Sequence, residues 1–357
     1  MKRFKAWIKR GAIASVSVIL AIGGCQKLTE APPHQPQNSE EIRGVWMTHV
    51  GNAFYAGIGQ LDDVFHQLSR LNFNRVYISV YNDGVTYPSK VAHRTREAYI
   101  PGYNFLNSAV HQGNRQGLKV YGWFEYGLML HKNDPIAIAH PDWLLDQGQM
   151  INGFVWLDPG HPEVEQYFLA LFTEFAYLYH KLDGIQLDDH WAIPRALGDY
   201  TTELTHLTAA VATAVKQINP HWIISLSPNP PDFAARRYSQ DWLEWVYRGY
   251  IDEVVVQVYR PTAQDVATTL THSGLEEARR YVPVGVGLYT GYSRNSLEIT
   301  PLAEVARQVD VVLDRGYGYS LFTYGYTFSF LRLAPTKTKE SFFQDPFDAA
   351  VSEALLN

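Results

Sequence analysis

From Ile42 onward the sequence repeats one unit eight times, a short strand-like segment followed by a segment with helical spacing. Strands that alternate with helices pair in parallel through right-handed crossovers, and eight such units in one domain are typical of a TIM barrel. A doubly wound open sheet is the alternative, but no glycine-rich phosphate loop follows the first strand. We therefore predict an α/β fold, a (β/α)8 TIM barrel spanning residues 42–357.

The predicted strands are short and rich in β-branched and aromatic residues: Arg43–His49, Asn74–Asn82, Lys119–Tyr126, Gly184–Asp189, Trp222–Ser227, Glu253–Tyr259, Val282–Tyr289 and Tyr317–Tyr324. The amphipathic stretches between them include Gln60–Leu71, Asn104–Gly117, Pro162–His180, Thr201–Ile218 and Pro301–Arg315. This alternation of elements is what the barrel prediction rests on.

Alternation along a strand assigns each side chain to one of two faces. On the sixth strand Val254, Val256 and Val258 share one face, while Gln257 and Tyr259 lie on the other. The second, third and fifth strands show the same division into an aliphatic face and a face that becomes polar and aromatic toward the carboxyl end. Barrel enzymes place their active sites at that end, so we predict the site there.

Carboxyl groups in a cleft lined with Trp and Tyr suit a sugar, because aromatic rings stack on pyranose rings and paired carboxyl groups cleave glycosidic bonds. Asp188 is the first candidate for a catalytic carboxylate, since its parity points inward. Glu125 is the candidate general acid, Asp189 would orient a neighbour or hold a loop, and His190 is an orienting partner or an acid. The predicted substrate-binding residues are Trp46, Tyr81, Asp83, Trp123, His190, Trp191, Asn229, Gln257, Tyr259, Tyr289 and Tyr324.

Other interpretations of these residues remain open. Glu125 could form a structural salt bridge with Arg260 or His190. A catalytic metal could be held by His49, Asp188, Asp189 and His190, but no compact ligand spacing is present, so we predict neither metal nor other cofactor. The Gly-x-Ser-x-Gly motif of a serine hydrolase is missing, and a net charge of −6 without a basic stripe argues against nucleic acid as a partner.

The first 25 residues have the pattern of an export signal. A basic segment is followed by the apolar stretch 11–22, which is too short for a membrane span, and then by Cys25, the only cysteine of the chain. Small residues just before such a cysteine resemble the lipobox of bacterial lipoproteins; an uncleaved anchor helix is the alternative. Residues 26–41 are proline-containing and aperiodic, as expected of a flexible tether. We therefore expect an exported barrel anchored in the cell envelope by a lipid on Cys25.

Several segments of the chain carry a family likeness. They are RGVWMTHV, NRVYISVYNDGVTYPS, LKVYGWFE, VWLDPGHPEVEQY, KLDGIQLDDHWAIP, ISLSPNP and DEVVVQVYR. In this order they resemble the glycosyl hydrolase-like 10 family, over about Glu41 to Tyr326. The resemblance implies a barrel glycosidase of the envelope lipoprotein type, with the glycan strands of peptidoglycan as the first candidate substrate.

The fourth strand also resembles the chitinase-like pattern Asp-Gly-x-Asp-x-Asp-x-Glu. Asp183, Gly184 and Asp188 match it, whereas Gln186 replaces an aspartate and His190 stands where the acid glutamate would be. We therefore expect a glycoside hydrolase in which Asp188 is the nucleophile or stabilises a substrate-assisted intermediate. The alternative is a glycan-binding barrel lipoprotein without catalysis, which the histidine at position 190 favours.

The anchor is tested by Cys25→Ser. Because the thiol is the site of lipid attachment, we expect the variant to be released from the membrane fraction or to accumulate in the wrong compartment. Cell fractionation followed by immunoblotting measures this, and a Ser17→Ala variant in the apolar stretch serves as the control. Membrane association and processing identical to those of the parent chain would disprove lipidation at Cys25.

Overall fold

The computed structural model describes residues 40–48, 60–93, 104–292 and 299–328. The strands are β1 Arg43–Met47, β2 Arg75–Tyr81, β3 Lys119–Phe124, β4 Met129–Leu130, β5 Val155–Trp156, β6 Gly184–Asp188, β7 Ile223–Ser227, β8 Glu253–Gln257, β9 Val284–Tyr289 and β10 Gly318–Phe322. The helices are α1 Leu61–Arg70, α2 Phe105–Gln116, α3 Pro135–Ala139, α4 Pro162–Leu178, α5 Thr201–Ile218, α6 Pro231–Tyr238, α7 Trp242–Tyr247, α8 Ala263–Thr271, α9 Leu275–Ala278, α10 Leu302–Leu313 and α11 Tyr324–Phe328.

Eight of these strands form a closed, parallel barrel in the order β1, β2, β3, β6, β7, β8, β9 and β10, and β10 pairs back to β1. The TIM-barrel prediction is confirmed. Each of the eight predicted strands overlaps one barrel strand, and the five predicted helices correspond to α1, α2, α4, α5 and α10. The small antiparallel sheet of β4 and β5 was not predicted, because strands of two residues carry no measurable periodicity.

Local sequence explains where individual helices begin and end. The Asn104 side chain accepts a hydrogen bond from the main-chain N–H of Asn107, which caps the start of α2. At the other end Gly117 adopts the left-handed conformation with φ of 71°, which glycine reaches without strain. Strand β3 begins two residues later, so this short connection sets the entry into the barrel.

The barrel separates the buried side chains into two layers. The aliphatic faces of the strands, such as Val76, Ile185 and Val256, pack against the helices in one large cluster. A second cluster fills the barrel interior with Trp46, Tyr77, Tyr121, Trp123, Val255 and Ile42. The face assignment made from strand parity is therefore confirmed for most positions.

A buried ion pair crosses the interior at the amino-terminal end of the barrel. Arg75 Nε lies 2.7 Å from Glu253 Oε2, and both side chains are almost fully buried. The Tyr77 hydroxyl donates to Glu253 Oε1 over 2.8 Å, and the Ser225 hydroxyl donates to the same oxygen over 3.1 Å. Strands β2 and β8 are four strands apart in the ring, so this cluster joins opposite walls.

The signal segment, Cys25, the tether to residue 39, His49 and residues 329–357 lie outside the described residues. None of the helices in the described part of the chain combines the length and hydrophobicity that a membrane crossing requires.

The ion pair generates a stability prediction. Glu253→Gln keeps the size of the side chain but removes the buried counterion of Arg75 and leaves only the half-exposed Glu40 carboxylate, 3.9 Å from the guanidinium. We therefore expect it to lower the free energy of unfolding by about 3–5 kcal/mol. The double variant Arg75→Met/Glu253→Gln should lose less unfolding free energy than the sum of the losses of Arg75→Met and Glu253→Gln. Urea denaturation measures all three.

The control is Glu277→Gln on α9, whose carboxylate pairs with Arg280 on the surface and should change stability by less than about 1 kcal/mol. Equal, small losses for Glu253→Gln and Glu277→Gln would show that the buried pair does not stabilise the barrel.

Candidate active site

Asp188 is the last residue of β6 and lies buried at the carboxyl-terminal mouth of the barrel. The Ser227 hydroxyl donates to its Oδ1 over 2.6 Å, and the Gln257 side-chain amide donates to the same oxygen over 2.9 Å. Ser227 and Gln257 end the next two strands of the ring. Three neighbouring strand ends thus fix this carboxyl group, as the parity of the sequence predicts for Asp188.

The electrostatic surroundings of Asp188 favour its protonated form. Burial raises the pKa of Asp188 well above the ordinary carboxyl value, and the nearby charge of Asp189 raises it further. His190 and the Ser227 hydrogen bond act in the opposite direction but do not cancel these effects. The group therefore keeps its proton at a higher pH than an exposed aspartate does.

His190 connects β6 to the end of β3. Its Nδ1 lies 3.0 Å from the main-chain carbonyl oxygen of Glu125, which can only accept, so Nδ1 carries a proton. A side chain on Gly127 would collide with the main chain of His190, so glycine permits this close approach. Burial alone would lower the pKa of His190, but the charges of Asp189 and Asp188 outweigh it and the pKa is raised.

The other two predicted carboxyl groups are also held at the mouth. The Asn229 amide donates to Asp189 Oδ2 over 2.9 Å, and the Ser79 hydroxyl donates to Glu125 Oε2 over 3.1 Å. His190 Nε2 lies 3.9 Å from Asp189 Oδ1. The structure therefore brings together the three predicted catalytic residues, with His190 between them.

Aromatic side chains border these carboxyl groups. Burial and the charges of Asp188, Asp189 and Glu125 raise the pKa of Tyr259 well above its usual value, so its phenol stays protonated and can donate a hydrogen bond. The Tyr259 ring contacts the rings of Tyr289 and Phe322, with centroids 5.7 and 5.6 Å away. The predicted Tyr259 and Tyr289 thus lie together beside the carboxyl groups, and Phe322 is an addition that parity along β10 could have supplied.

Known proteins share the sequence pattern of this chain. The sequence profile of the family described as glycosyl hydrolase-like 10 matches residues 41–205 and 200–306. The chain belongs to the glycosyl hydrolase-like 10 family. The protein named glycosyl hydrolase DigH from Escherichia coli K12 is 23% identical over 312 residues, which cover 67% of this chain and 70% of that protein. The family that the sequence motifs resemble is therefore confirmed.

Solved glycosidase structures share the barrel. A Bacteroides thetaiotaomicron protein provisionally named an α-L-fucosidase aligns with a TM-score of 0.57 and 13% identity, covering 91% of this chain and 98% of that one. An endo-1,4-β-D-mannanase from Thermotoga petrophila aligns with a TM-score of 0.55 and 12% identity, covering 80% and 88%. At these identities the likeness establishes the fold alone.

In this member of the glycosyl hydrolase-like 10 family, Trp191 and Tyr324, which were predicted to bind sugar, lie in the helix layer and not at the mouth of the barrel. The main chain turns after β6, where the Trp191 N–H donates to the Asp188 carbonyl. This turn buries the Trp191 ring against Phe168 of α4, and its indole N–H donates to Thr208 of α5. Tyr324 begins α11 and donates to Gln67 of α1. Both side chains are buried in helix packing instead of lining the mouth for the same reason, since helix packing beyond the strand end overrides strand parity.

The placement of Tyr81 is a further correction. The pairing of β2 with β3 shifts register between Ser79 and Tyr81, so the alternation of faces is interrupted by a bulge. Tyr81 consequently points into the helix layer, where its hydroxyl lies 2.9 Å from that of Tyr167 and its ring packs on Phe124. The buried Tyr81 therefore supports α4 from the helix layer and does not line the mouth.

Trp46 and Trp123 lie inside the barrel below the mouth. Both are 1% exposed, and both rings contact Phe322. The Trp46 indole N–H donates to Gln186 over 2.7 Å. The two tryptophans therefore support the mouth from below, and their predicted contact with substrate stays a prediction.

The predicted residue Asp83 belongs to a cluster that the sequence did not reveal. Its carboxylate lies 3.2 Å from Nε2 of His131, which also lies 3.2 Å from the Tyr126 hydroxyl. The His131 ring in turn packs on Phe154, with centroids 4.6 Å apart. His131 directly follows β4 and Phe154 directly precedes β5, and loop residues of this kind have no periodicity that could have pointed to the site.

One group of side chains could hold a metal ion. Among the described residues, Asp188, Asp189 and His190 offer one ligand atom each within 4.8 Å of one another. A metal ligand must be deprotonated, whereas burial favours the protonated form of Asp188.

Arg260, the proposed salt-bridge partner of Glu125, is directed to Thr269 and its guanidinium also donates to the Tyr259 carbonyl.

The buried carboxyl group predicts a pH effect on stability. The folded chain holds the Asp188 proton to a higher pH than the unfolded chain, so the free energy of unfolding should fall as pH rises from about 4 through the raised pKa. Asp188→Asn removes this contribution and also the charge that favours protonated His190. We therefore expect the melting temperature of the variant to exceed that of the parent increasingly from pH 4 to pH 8, as measured by calorimetry.

The exposed Asp63→Asn on α1 is the control and should follow the parent curve across this range. A difference between Asp188→Asn and the parent that stays constant with pH would contradict the raised pKa.

Proposed function

We propose that the protein is a glycoside hydrolase that cleaves a polysaccharide by carboxyl acid–base catalysis. The observation that carries the proposal is the buried Asp188, which is held by Ser227 and Gln257 and surrounded by the charges of Asp189 and Glu125. A general acid for glycosidic cleavage needs a carboxyl group that keeps its proton near neutral pH. Membership of the glycosyl hydrolase-like 10 family supports the same reaction class.

The protonated state suggests a division of roles. Asp188 gives its proton to the glycosidic oxygen as the bond from that oxygen to the anomeric carbon breaks. Glu125, held by Ser79 on a neighbouring strand, acts on the anomeric carbon as nucleophile or takes the proton of the attacking water. Asp189 raises the pKa of Asp188 through its charge and so acts as a positioning residue. The roles of Asp188 and Glu125 are therefore reversed from those expected on sequence alone.

The substrate proposed first is the glycan strand of peptidoglycan. A lipid on Cys25 and the tether of residues 26–41 would hold the barrel at the envelope, where this polymer is found. Tyr259 keeps its phenolic proton and can donate to sugar hydroxyl groups, while its neighbours Tyr289 and Phe322 offer ring surfaces for stacking. This proposal joins the family membership to the expected export of the chain.

Catalysis is tested by product analysis. The full-length chain, purified in detergent, is incubated with glycan strands that carry or lack stem peptides, and products are identified by mass spectrometry. We expect shortened saccharides from the parent chain and a loss of rate of about 10²–10⁴-fold for Asp188→Asn and Glu125→Gln, because acid–base catalysis contributes this much. Asp189→Asn should instead move the alkaline limb of the pH profile to lower pH.

Asp63→Asn, remote from the mouth, is the matched control and should retain the parent rate. The absence of products together with saturable binding to the same strands would replace the hydrolase by a glycan-binding barrel.

A further inference from the structure

We infer that this site binds the interior of a long polysaccharide chain, through two aromatic arms on opposite sides of the barrel mouth, and therefore cleaves internal bonds. The inference rests on the proposed hydrolase function and adds the mode of substrate binding. We define the hairpin arm as Tyr126, His131 and Phe154, and the tyrosine arm as Tyr289, Tyr326 and Tyr292.

The hairpin arm extends outward from the carboxyl groups beyond β3. Its first member, Tyr126, has its ring centroid 5.9 Å from that of His190. From there the ring contacts continue to His131 at 6.0 Å and Phe154 at 6.4 Å. Tyr126 and Phe154 are half-buried, and His131 is 48% exposed. The three rings of the arm thus pack on one another between His190 and the surface.

The tyrosine arm extends in the other direction from Tyr259. Tyr289 lies next to Tyr259, Tyr326 lies 6.1 Å from Tyr289, and Tyr292 lies 5.9 Å from Tyr326. Tyr259, Tyr289 and Tyr326 are half-buried, and Tyr292 at the end of the arm is 42% exposed. Each ring is supported by its inner neighbour while part of its surface stays accessible, which is the arrangement that stacking on sugar rings requires.

The topology of the barrel places the two arms opposite each other. Strand β3 leads into the hairpin arm, and β9 leads into Tyr289 and Tyr292, while Tyr326 follows the adjacent β10. Strands β3 and β9 are separated by four steps in either direction around the ring. One of the two arcs between them consists of β6, β7 and β8, which carry Asp188, Ser227 and Gln257. A saccharide chain that contacts both arms must pass across the mouth beside Asp188.

This arrangement distinguishes internal from terminal cleavage. An enzyme that removes terminal units needs binding surface mainly on one side of the cleaved bond. Here the described residues offer ring surfaces on both sides, so binding energy is available from sugar units before and after the bond. Because remote binding energy contributes to catalysis, longer chains should be the better substrates.

The test follows the size of products early in the reaction. The full-length chain is given glycan strands sorted by length, and products are separated by chromatography and identified by mass spectrometry. We expect fragments of intermediate length from the outset and a kcat/KM that rises with strand length. Tyr292→Ala and Phe154→Leu should each lower kcat/KM on long strands by about 3- to 10-fold. Leucine is chosen at position 154 because it keeps an apolar side chain in this half-buried position.

Tyr177→Ala, an exposed tyrosine on α4 outside both arms, is the control and should retain the parent values. The affinity of the Asp188→Asn variant for long strands, measured by calorimetry, tests the contribution of the arms to binding without turnover. The double variant Asp188→Asn/Tyr292→Ala should bind long strands more weakly than Asp188→Asn. Release of only the smallest unit while the strands stay long would overturn internal cleavage but leave the hydrolase intact. No product from the parent chain, with binding that both arm substitutions weaken, would refute the hydrolase while supporting the arms.

Discussion

Closure of eight parallel strands into one ring is the constraint on which the rest of this structure depends. Once the ring closes, alternate residues of each strand are enclosed in an interior that side chains fill. Polar groups there have access only to partners within the ring, and leaving them without hydrogen bonds is costly. The Trp46 indole and Ser225 satisfy Gln186 in this way. The same enclosure isolates the carboxyl groups at the two ends of the barrel.

The charged surroundings of a buried acidic residue differ between the two ends of the barrel. At the amino-terminal end Glu253 lies 2.7 Å from the Arg75 guanidinium and accepts two further hydrogen bonds, so its charge is matched. At the carboxyl-terminal end the nearest charged neighbours of Asp188 include another carboxylate, Asp189, and its pKa is raised. Two carboxyl groups of similar burial therefore differ in state: Glu253 forms an ion pair, whereas Asp188 favours its protonated form. This difference agrees with the general rule that TIM barrels are stabilised at the amino-terminal end and place functional groups at the carboxyl-terminal end.

Strand parity predicted the fold and the centre of the candidate site. Asp188, Gln257 and Tyr259 could be placed at the mouth because each continues the alternation of a regular strand. Parity failed at Tyr81, where a register shift inside β2 reverses the face, and at Trp191 and Tyr324, where the chain has left the strand and helix packing decides orientation. The hairpin arm could not be predicted, since its members meet only through tertiary contacts.

The position of the hairpin arm would allow the proposed preference for long substrates to arise without a change in the barrel. The crossover from β3 to α4 carries β4, α3 and β5, and the entropic cost of a longer connection grows only slowly with its length. Extra residues in this loop can therefore present Phe154 and His131 at the mouth while β3 and α4 keep their contacts with the ring. The carboxyl groups stay on rigid strand ends, where position matters most, and in the proposed binding mode the loops would recognise the distant sugar units.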